Sequence, residues 1–413
     1  MDATICGIAF SEIGDRTIFS NLIITIAAAI FTLGILILIH ELGHFLAARA
    51  VGIRVERFSI GLPPRMLSFH NKFDGFWIKF FIPWFLQRRL NAETIEYRIP
   101  RKKPQASDTE YSLSWTPFGG YVKMAGMIDE SLDTEVKGKP WEFTSKKRWQ
   151  QLLAISGGVI MNTLLAWLIF SVLVLAQGID EPLEGTGVGS LVSTPDRVQF
   201  PAELVGIQEG DYIRSVDGRT VTTWDDMTAI VQERAGETIA ISWERNGRLL
   251  QDSLTIVAEV LPTPEGTQTV GMIGVGRMTR NIQPGFFQSF GYGAQSTYMF
   301  GTLMARSLWT MIRGQASMDQ VGGPIAIAKM AGEMARRGWA DIFFFMAVIS
   351  INLAFINILP IPGLDGGHFI IIALEGIVRR PLPLKVKLFI QQVGILFLLG
   401  LIIFITVNDI ARL

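Results

Sequence analysis

Two of the chain's four histidines stand one helical turn apart with a glutamate between them, in His40-Glu41-Leu42-Gly43-His44. On a helix, H-E-x-x-H puts both imidazoles on one face at the spacing a Zn²⁺ ion needs, and leaves the glutamate free to work as a base. The motif sits in an apolar run from Leu22 to Ala50 that is long enough to cross a bilayer. Ionisable groups in such a run are costly without partners, so packing accounts poorly for three of them. The chemistry indicated is metal-assisted hydrolysis in, or at the edge of, a membrane. An amphipathic structural helix is the competing account.

A catalytic zinc takes three protein ligands and keeps a fourth position for water. The only cysteine, Cys6, excludes a cysteine-rich metal site and an internal disulfide framework. The third ligand must then be a carboxylate or histidine at similar depth on another span. Asp365 leads, in Asn357-Ile358-Leu359-Pro360-Ile361-Pro362-Gly363-Leu364-Asp365-Gly366-Gly367-His368. A helix N-cap is the structural alternative for it, and Glu375 and His368 compete as ligands. Pro360 and Pro362 keep their segment from being helical, which lets Asp365 turn toward the metal. Asn357, about two turns earlier, carries an amide that can donate to a substrate backbone or a developing oxyanion, or else bond another helix. Asn162 is also polar at membrane depth, and interhelical packing explains it equally well.

Four apolar segments must position these groups: residues 21–51, 151–177, a broken third segment at 341–378, and 386–408. Residues 1–20 lack a basic leader region, so the first run reads as a retained span and not as a cleaved signal peptide. Arg49, Arg54, Arg57 and Arg65, then Lys146, Lys147 and Arg148, and finally Arg379, Arg380, Lys385 and Lys387 mark the cytoplasmic loops. Both termini and the stretch 178–340 then lie outside, with the metal motif nearer the cytoplasm. Lys+Arg and Asp+Glu are equal at 37 each, which gives no support for nucleic-acid binding.

Residues 178–262 have the composition of a soluble domain. Gly206-Ile207-Gln208-Glu209-Gly210-Asp211-Tyr212-Ile213, then Val216-Asp217-Gly218, a short helix and two strand-like runs, resemble a bacterial PDZ domain. Such domains bind extended peptide ends by strand addition; a small β-rich spacer is the alternative. Residues 263–340 form a linker region in which 286–314 reads as amphipathic helix on the outer membrane surface, or as an ordinary buried helix. On the cytoplasmic side, Phe73 to Leu86 is aromatic but too short to span and reads as interfacial or re-entrant. Gln87 to Ser107 reads as an exposed loop.

H-E-x-x-H in a first span, with N-x-x-P-x-P-x-L-D-G-G in a third, is the signature of site-two proteases, the M50-type intramembrane zinc metalloproteases. Val51 to Gly61, Pro117 to Met124, Val321 to Lys329 and the terminal Asn408 to Leu413 further resemble the bacterial regulator of sigma-E protease (RseP-like) branch. The chain departs from that branch in having one PDZ core where members with two exist, and in a longer Met66 to Ser114 stretch. The fold implied is a polytopic α-helical membrane protein with four transmembrane helices, a membrane re-entrant β-hairpin and one extracytoplasmic β-rich PDZ domain. The resemblance makes His40, His44 and Asp365 zinc ligands and Glu41 the catalytic base, and sets Asn357, Pro360 and Pro362 beside the substrate. It also makes Gly120, Tyr121, Val122 and Lys123, within Gly119 to Gly126, the part of the hairpin that pairs with substrate as an added strand; an ordinary cytoplasmic hairpin is the alternative. It implies an enzyme of the bacterial inner membrane that cuts single-span membrane proteins, such as anti-sigma factors or remnant signal peptides, after a first protease has trimmed them. Two rivals stand against it. One is a membrane zinc protease with a glutamate third ligand, and the other is a non-enzymatic PDZ scaffold.

Overall fold

The structure is a computed structural model that describes residues 3–72, 75–83, 93–100, 109–127, 138–192, 199–263, 266–314 and 322–411. The chain forms two compact units. One comprises Met1–Ser171, Gly293–Met304 and Val321–Leu413, and the other Val172–Tyr292 and Ala305–Gln320.

The first unit begins with α1 (Ala3–Ala50), whose helix extends well back from the predicted span. A sheet follows, from β1 (Val55–Lys72), β2 (Gly75–Phe81), β3 (Thr94–Pro100) and β4 (Glu110–Met124), in the order β3-β2-β1-β4. Next comes α2 (Arg148–Gln177). In the second unit, β5 (Ile179–Pro182) and β6 (Val188–Leu191) precede α3 (Pro201–Leu204), β7 (Tyr212–Val216), β8 (Arg219–Thr220) and α4 (Trp224–Glu233). Strands β9 (Thr238–Arg245), β10 (Arg248–Thr255), β11 (Val257–Thr263), β12 (Gly266–Met272), β13 (Val275–Arg277) and β14 (Thr279–Ile282) complete its β-structure. The chain continues through α5 (Phe286–Ile312), α6 (Pro324–Arg337), α7 (Trp339–Ile358), α8 (Asp365–Val378) and α9 (Leu384–Ala411).

Among the described residues, four stretches, Ser20–Ala50, α2, α7 and α9, are long and apolar enough to cross a membrane. Their cores are thin. Phe389, Leu396 and Val407 on α9 are each more than half exposed, as expected where lipid replaces a protein core. A tighter cluster closes over the end of α1, where Phe45, Ala48, Val51 and Phe58 pack with Met124, Ile155 and Ile372. It fixes the sheet, α2 and α8 against the helix that carries the histidines.

The Met66 to Ser114 stretch differs from its expected form. Gly75 to Phe81 is strand β2, paired on both sides by β1 and β3. Its aromatic residues are strong β-formers, which suits a strand between two others. Part of the expected loop is strand β3, where Ile95, Tyr97 and Ile99 alternate along one exposed face. Charged neighbours dilute the alternation, so the sequence alone reads there as loop. Residues 73–74, 84–92 and 101–108 of these two stretches lie outside the described residues.

The second unit is built around Ile207, Ile213, Val216, Met227, Ile241 and Ile256. Its main sheet has the order β10-β9-β7-β8. Thr223 opens α4 through a reciprocal cap, with its hydroxyl accepting the Asp226 N–H while Asp226 accepts the Thr223 N–H. The β-structure runs to Ile282, past the expected boundary at 262, because β13 and β14 pair back to β6 and β5. Within the expected domain, residues 193–198 lie outside the described set.

Candidate metal centre

The site starts with two helices that meet through glycines. A Cβ on Gly43 of α1 would strike the Gly157 carbonyl of α2, and one on Gly157 would strike the Gly43 carbonyl. Small residues at the same level of both helices are what allow backbones in a membrane to approach this closely. Gly158, next along α2, faces the histidines. A Cβ there would lie 2.5 Å from His40 Cε1 and 2.5 Å from His44 Nε2.

The imidazoles are fixed at their far nitrogens. His44 Nδ1 lies 3.0 Å from the Ala154 carbonyl oxygen, so it is the N–H donor and Nε2 keeps its lone pair. His40 Nδ1 lies 3.2 Å from the Asn162 side-chain amide. The amide nitrogen faces that atom; the tautomer that leaves Nε2 a lone pair has the amide turned so that its oxygen, which is otherwise without a partner among the described residues, accepts the Nδ1–H, and amide orientation is assigned from such networks. Asn162 is fully buried, and its backbone carbonyl accepts the Ser350 hydroxyl from α7 at 2.8 Å. This single residue therefore links three helices and orients His40.

The third element arrives through a broken helix. α7 ends at Ile358, the chain runs non-helically through Leu359 to Leu364, and α8 begins at Asp365. Gly366 and Gly367 lie so close to the carbonyls of Ile358, Leu359 and Ile361 that neither has room for a Cβ. The L-D-G-G sequence thus packs the first turn of α8 against the break. Asp365 Oδ2 ends 3.2 Å from His40 Nε2 and 3.2 Å from His44 Nε2, while the two Nε2 atoms are 3.2 Å apart.

Three donors at this mutual distance form one face of a tetrahedron, whose edge for zinc bonds of about 2.0–2.1 Å is roughly 3.3 Å. Asp365 Oδ2 is buried and has no hydrogen-bond donor among the described residues. Two lone-pair nitrogens and a carboxylate oxygen pointing at one place have no other satisfactory partner, so the set fits zinc. The competing ligands lie elsewhere. Glu375 gives its carboxylate to Arg148 at 2.8 Å, Lys387 at 2.6 Å and the Leu382 N–H at 2.8 Å. His368 lines the adjoining pocket but is outside the cluster.

Beside the cluster runs the end of β4. Ser59 of β1 lies opposite both Tyr121 and Ser112, and Phe58 opposite both Val122 and Tyr111. The first half of β1 is therefore flanked on both sides by β4, and residues 120–124 form an outer edge of the sheet. No strand pairs with the other side of that edge among the described residues. Gly120 lies against α1, where a Cβ would come 3.1 Å from Glu41 Cγ, and the Val122 backbone hydrogen-bonds the Glu41 carboxylate. A pocket of about 260 Å³ is lined by His40, Glu41, His44, Asp365, Asn357 and the edge residues Gly120, Tyr121 and Val122. Asn357 Nδ2 is 3.5 Å from His40 Nε2. Pro360, Pro362 and Lys123 are not in its lining. Lys123 faces a neighbouring cavity with Arg54 and Trp141, and its ammonium is 3.8 Å from Glu56.

The sequence model of Peptidase family M50 matches residues 28–84 and 97–401. The chain belongs to this family. It is a zinc metalloprotease of the site-two, RseP-like kind, and a membrane protein. The Regulator of sigma-W protease RasP of Bacillus subtilis (strain 168) is 29% identical over 431 residues, covering 94% of this chain and 99% of that one. The Zinc metalloprotease RasP of Bacillus licheniformis is 28% identical over 433 residues, covering 94% and 99%. Among solved structures, the PDZ domain of the SdrC-like protein of Listeria monocytogenes aligns with 22% of this chain and 87% of its own length. The identity is 22% and the TM-score 0.17.

Sequence reasoning passed over Gly157, Gly158 and the Ala154 carbonyl in this protease. Small residues in the middle of a span, Ser156-Gly157-Gly158, were the available signal. Nothing in the sequence announces a backbone carbonyl as a ligand support.

Proposed function

We propose that the protein is an intramembrane endopeptidase whose metal is held by His40, His44 and Asp365 and whose base is Glu41. The observation that carries this is the set of three donors 3.2 Å apart beside a carboxylate they do not use. Zinc, when bound, makes water nucleophilic near neutral pH and polarises a carbonyl oxygen. Glu41 accepts the water's proton at a carboxylate oxygen and delivers it to the departing amine nitrogen. Asn357, at the rim of the same pocket, donates its amide N–H to substrate backbone or to the oxygen that gains charge. Gly120 to Val122 present an unpaired strand edge to the pocket. A substrate peptide pairs with that edge by strand addition, which holds it extended where a helix would hide its carbonyls. Gly120 has little room for a side chain, because a Cβ there would lie 2.9 Å from the Ser59 carbonyl oxygen and 3.1 Å from Glu41 Cγ.

In this reading the substrates are single-span membrane proteins, such as anti-sigma factors or remnant signal peptides, already trimmed on the outer side. The second unit is a PDZ domain that screens their ectodomains. The enzyme lies in a bacterial inner membrane with both termini and the second unit outside and its site toward the cytoplasm. The Lys/Arg bias of the loops and the name of the Bacillus subtilis relative support this. The test is cleavage of a co-expressed single-span substrate. Glu41→Gln should keep zinc and lose cleavage, whereas Asp365→Ala should lose both. Undiminished cleavage by either variant would overturn the corresponding role.

A further inference from the structure

A second cavity, of about 60 Å³, adjoins the catalytic pocket, and Met127, Gly363 and His368 line both. Its walls are mostly apolar, from Phe143, Ile371, Ile372 and Ile390, with Gln391 of α9 among them. A water needs roughly 10–15 Å³ of such space, so the cavity has room for a small side chain. Gln391 is 4% exposed, and its Nε2 has no hydrogen-bond partner among the described residues. An unpaired amide in a helix that crosses a membrane is costly, because lipid offers nothing in exchange. Lys387, also in the lining, is a donor only and is bound to Glu375 at 2.6 Å, so it cannot accept from this amide N–H.

We infer that this cavity is a specificity subsite in which the Gln391 amide hydrogen-bonds a small uncharged polar side chain, of the Ser, Thr or Asn class, next to the bond cut. The inference rests on the adjoining pocket being the place of peptide cleavage. A peptide held extended along Gly120 to Val122 sends successive side chains to opposite faces. The cavity lies just past that edge, since Met127 follows Met124 by one short turn. The unpaired Nε2 donates, which suits the oxygen of a hydroxyl or a carboxamide and not an aliphatic group of equal size. A site built around a buried hydrogen-bonding group rejects the isostere that lacks it, because the group is then left unpaired.

The experiment uses the full-length protein in proteoliposomes and a single-span test substrate whose cleaved bond is located by mass spectrometry. Threonine and valine, nearly equal in shape, are placed in turn on each side of that bond. At one of the two positions the wild type should favour threonine by about tenfold in kcat/KM, mostly through KM. Gln391→Leu should still cut the valine substrate and should bring the ratio to about one. Ratios within about twofold at both positions in the wild type, or a preference that survives Gln391→Leu, would overturn the inference while leaving the protease assignment intact. Loss of the valine substrate in both Gln391→Leu and the length-preserving Gln391→Met would also overturn it, since a specificity group is dispensable there. Failure of the wild type to cut any version would instead remove the proteolytic reading, and this one with it.

Discussion

Replacing Gly158 by alanine adds one methyl group to the structure and should abolish the metal centre. The new Cβ would sit 2.5 Å from His40 Cε1, 2.5 Å from His44 Nε2 and 2.6 Å from His40 Nε2. Ordinary contact begins near 3.4 Å, so the two rings together must withdraw by roughly 0.9 Å. A metal site tolerates ligand displacements of about 0.2 Å, which places the required shift well outside its range. The rings have little freedom to share the movement, because His44 is tied to the Ala154 carbonyl and His40 to Asn162. A displacement near 1 Å of reacting groups costs about 10²-fold in rate, so activity should fall at least that far, with zinc content well below that of the wild type. The helix itself should not suffer, since alanine is favoured over glycine in a helix interior by up to about 1 kcal/mol. Zinc by elemental analysis, cleavage of a single-span substrate and helicity by circular dichroism measure the three parts separately. Leu164→Ala, on the exposed face of the same helix, serves as control. A Gly158→Ala protein with full zinc and wild-type cleavage would show that the approach of α1 and α2 does not define the site.

Two further outcomes follow from other parts of the molecule. Asp409 near the end of α9 accepts the N–H groups of Gly323, Ile325 and Ala326 at 3.0–3.1 Å and so caps α6 from another helix; Asp409→Ala should cost about 0.5–2 kcal/mol locally, seen as faster hydrogen exchange at residues 323–326 with α2 unchanged, and unaltered exchange would refute the cap. In the second unit, burial pushes the Asp211 carboxyl up, but hydrogen bonds from Arg245 and the Gln208 N–H outweigh it and hold its pKa below the ordinary aspartate value. Its stabilising contribution is therefore present above the unfolded pKa and lost as pH falls through the lower folded one; exchange protection around β7 and β9 should drop in that acid range, and Asp211→Asn should remove that pH dependence.

The parts of the site that could be read from the sequence are those in which side-chain type and spacing carry the chemistry. His40, Glu41 and His44 needed only a helical period, and Asp365 needed only the prolines that break α7 and the observation that a carboxylate at that depth demands a partner. What escaped was carried by backbone. The Ala154 carbonyl that sets the His44 tautomer has no residue-specific signature, and a glycine such as Gly158 is informative only once its neighbour across the helix pair is known. The same limit applies to the sheet. By composition alone the aromatic-rich residues 76–81 do not declare themselves a strand, and their place between β1 and β3 is set only by long-range pairing on either side. Asp409 shows the converse. Its sequence neighbourhood and that of Gly323 are each undistinguished, and a Cβ on Gly323 would lie 2.5 Å from the Asp409 carboxylate. Both become intelligible together, as a cap and the gap that admits it. The metal centre obeys the same logic. Two donors come from α1 and one from α8, and the protein fixes their 3.2 Å spacing by removing side chains at Gly43, Gly157, Gly366 and Gly367, where backbones must touch, and at Gly158, which faces the two imidazoles. Substitutions at these glycines should therefore disturb metal binding more than most changes to the apolar residues around them, although none of the five can itself bind a metal.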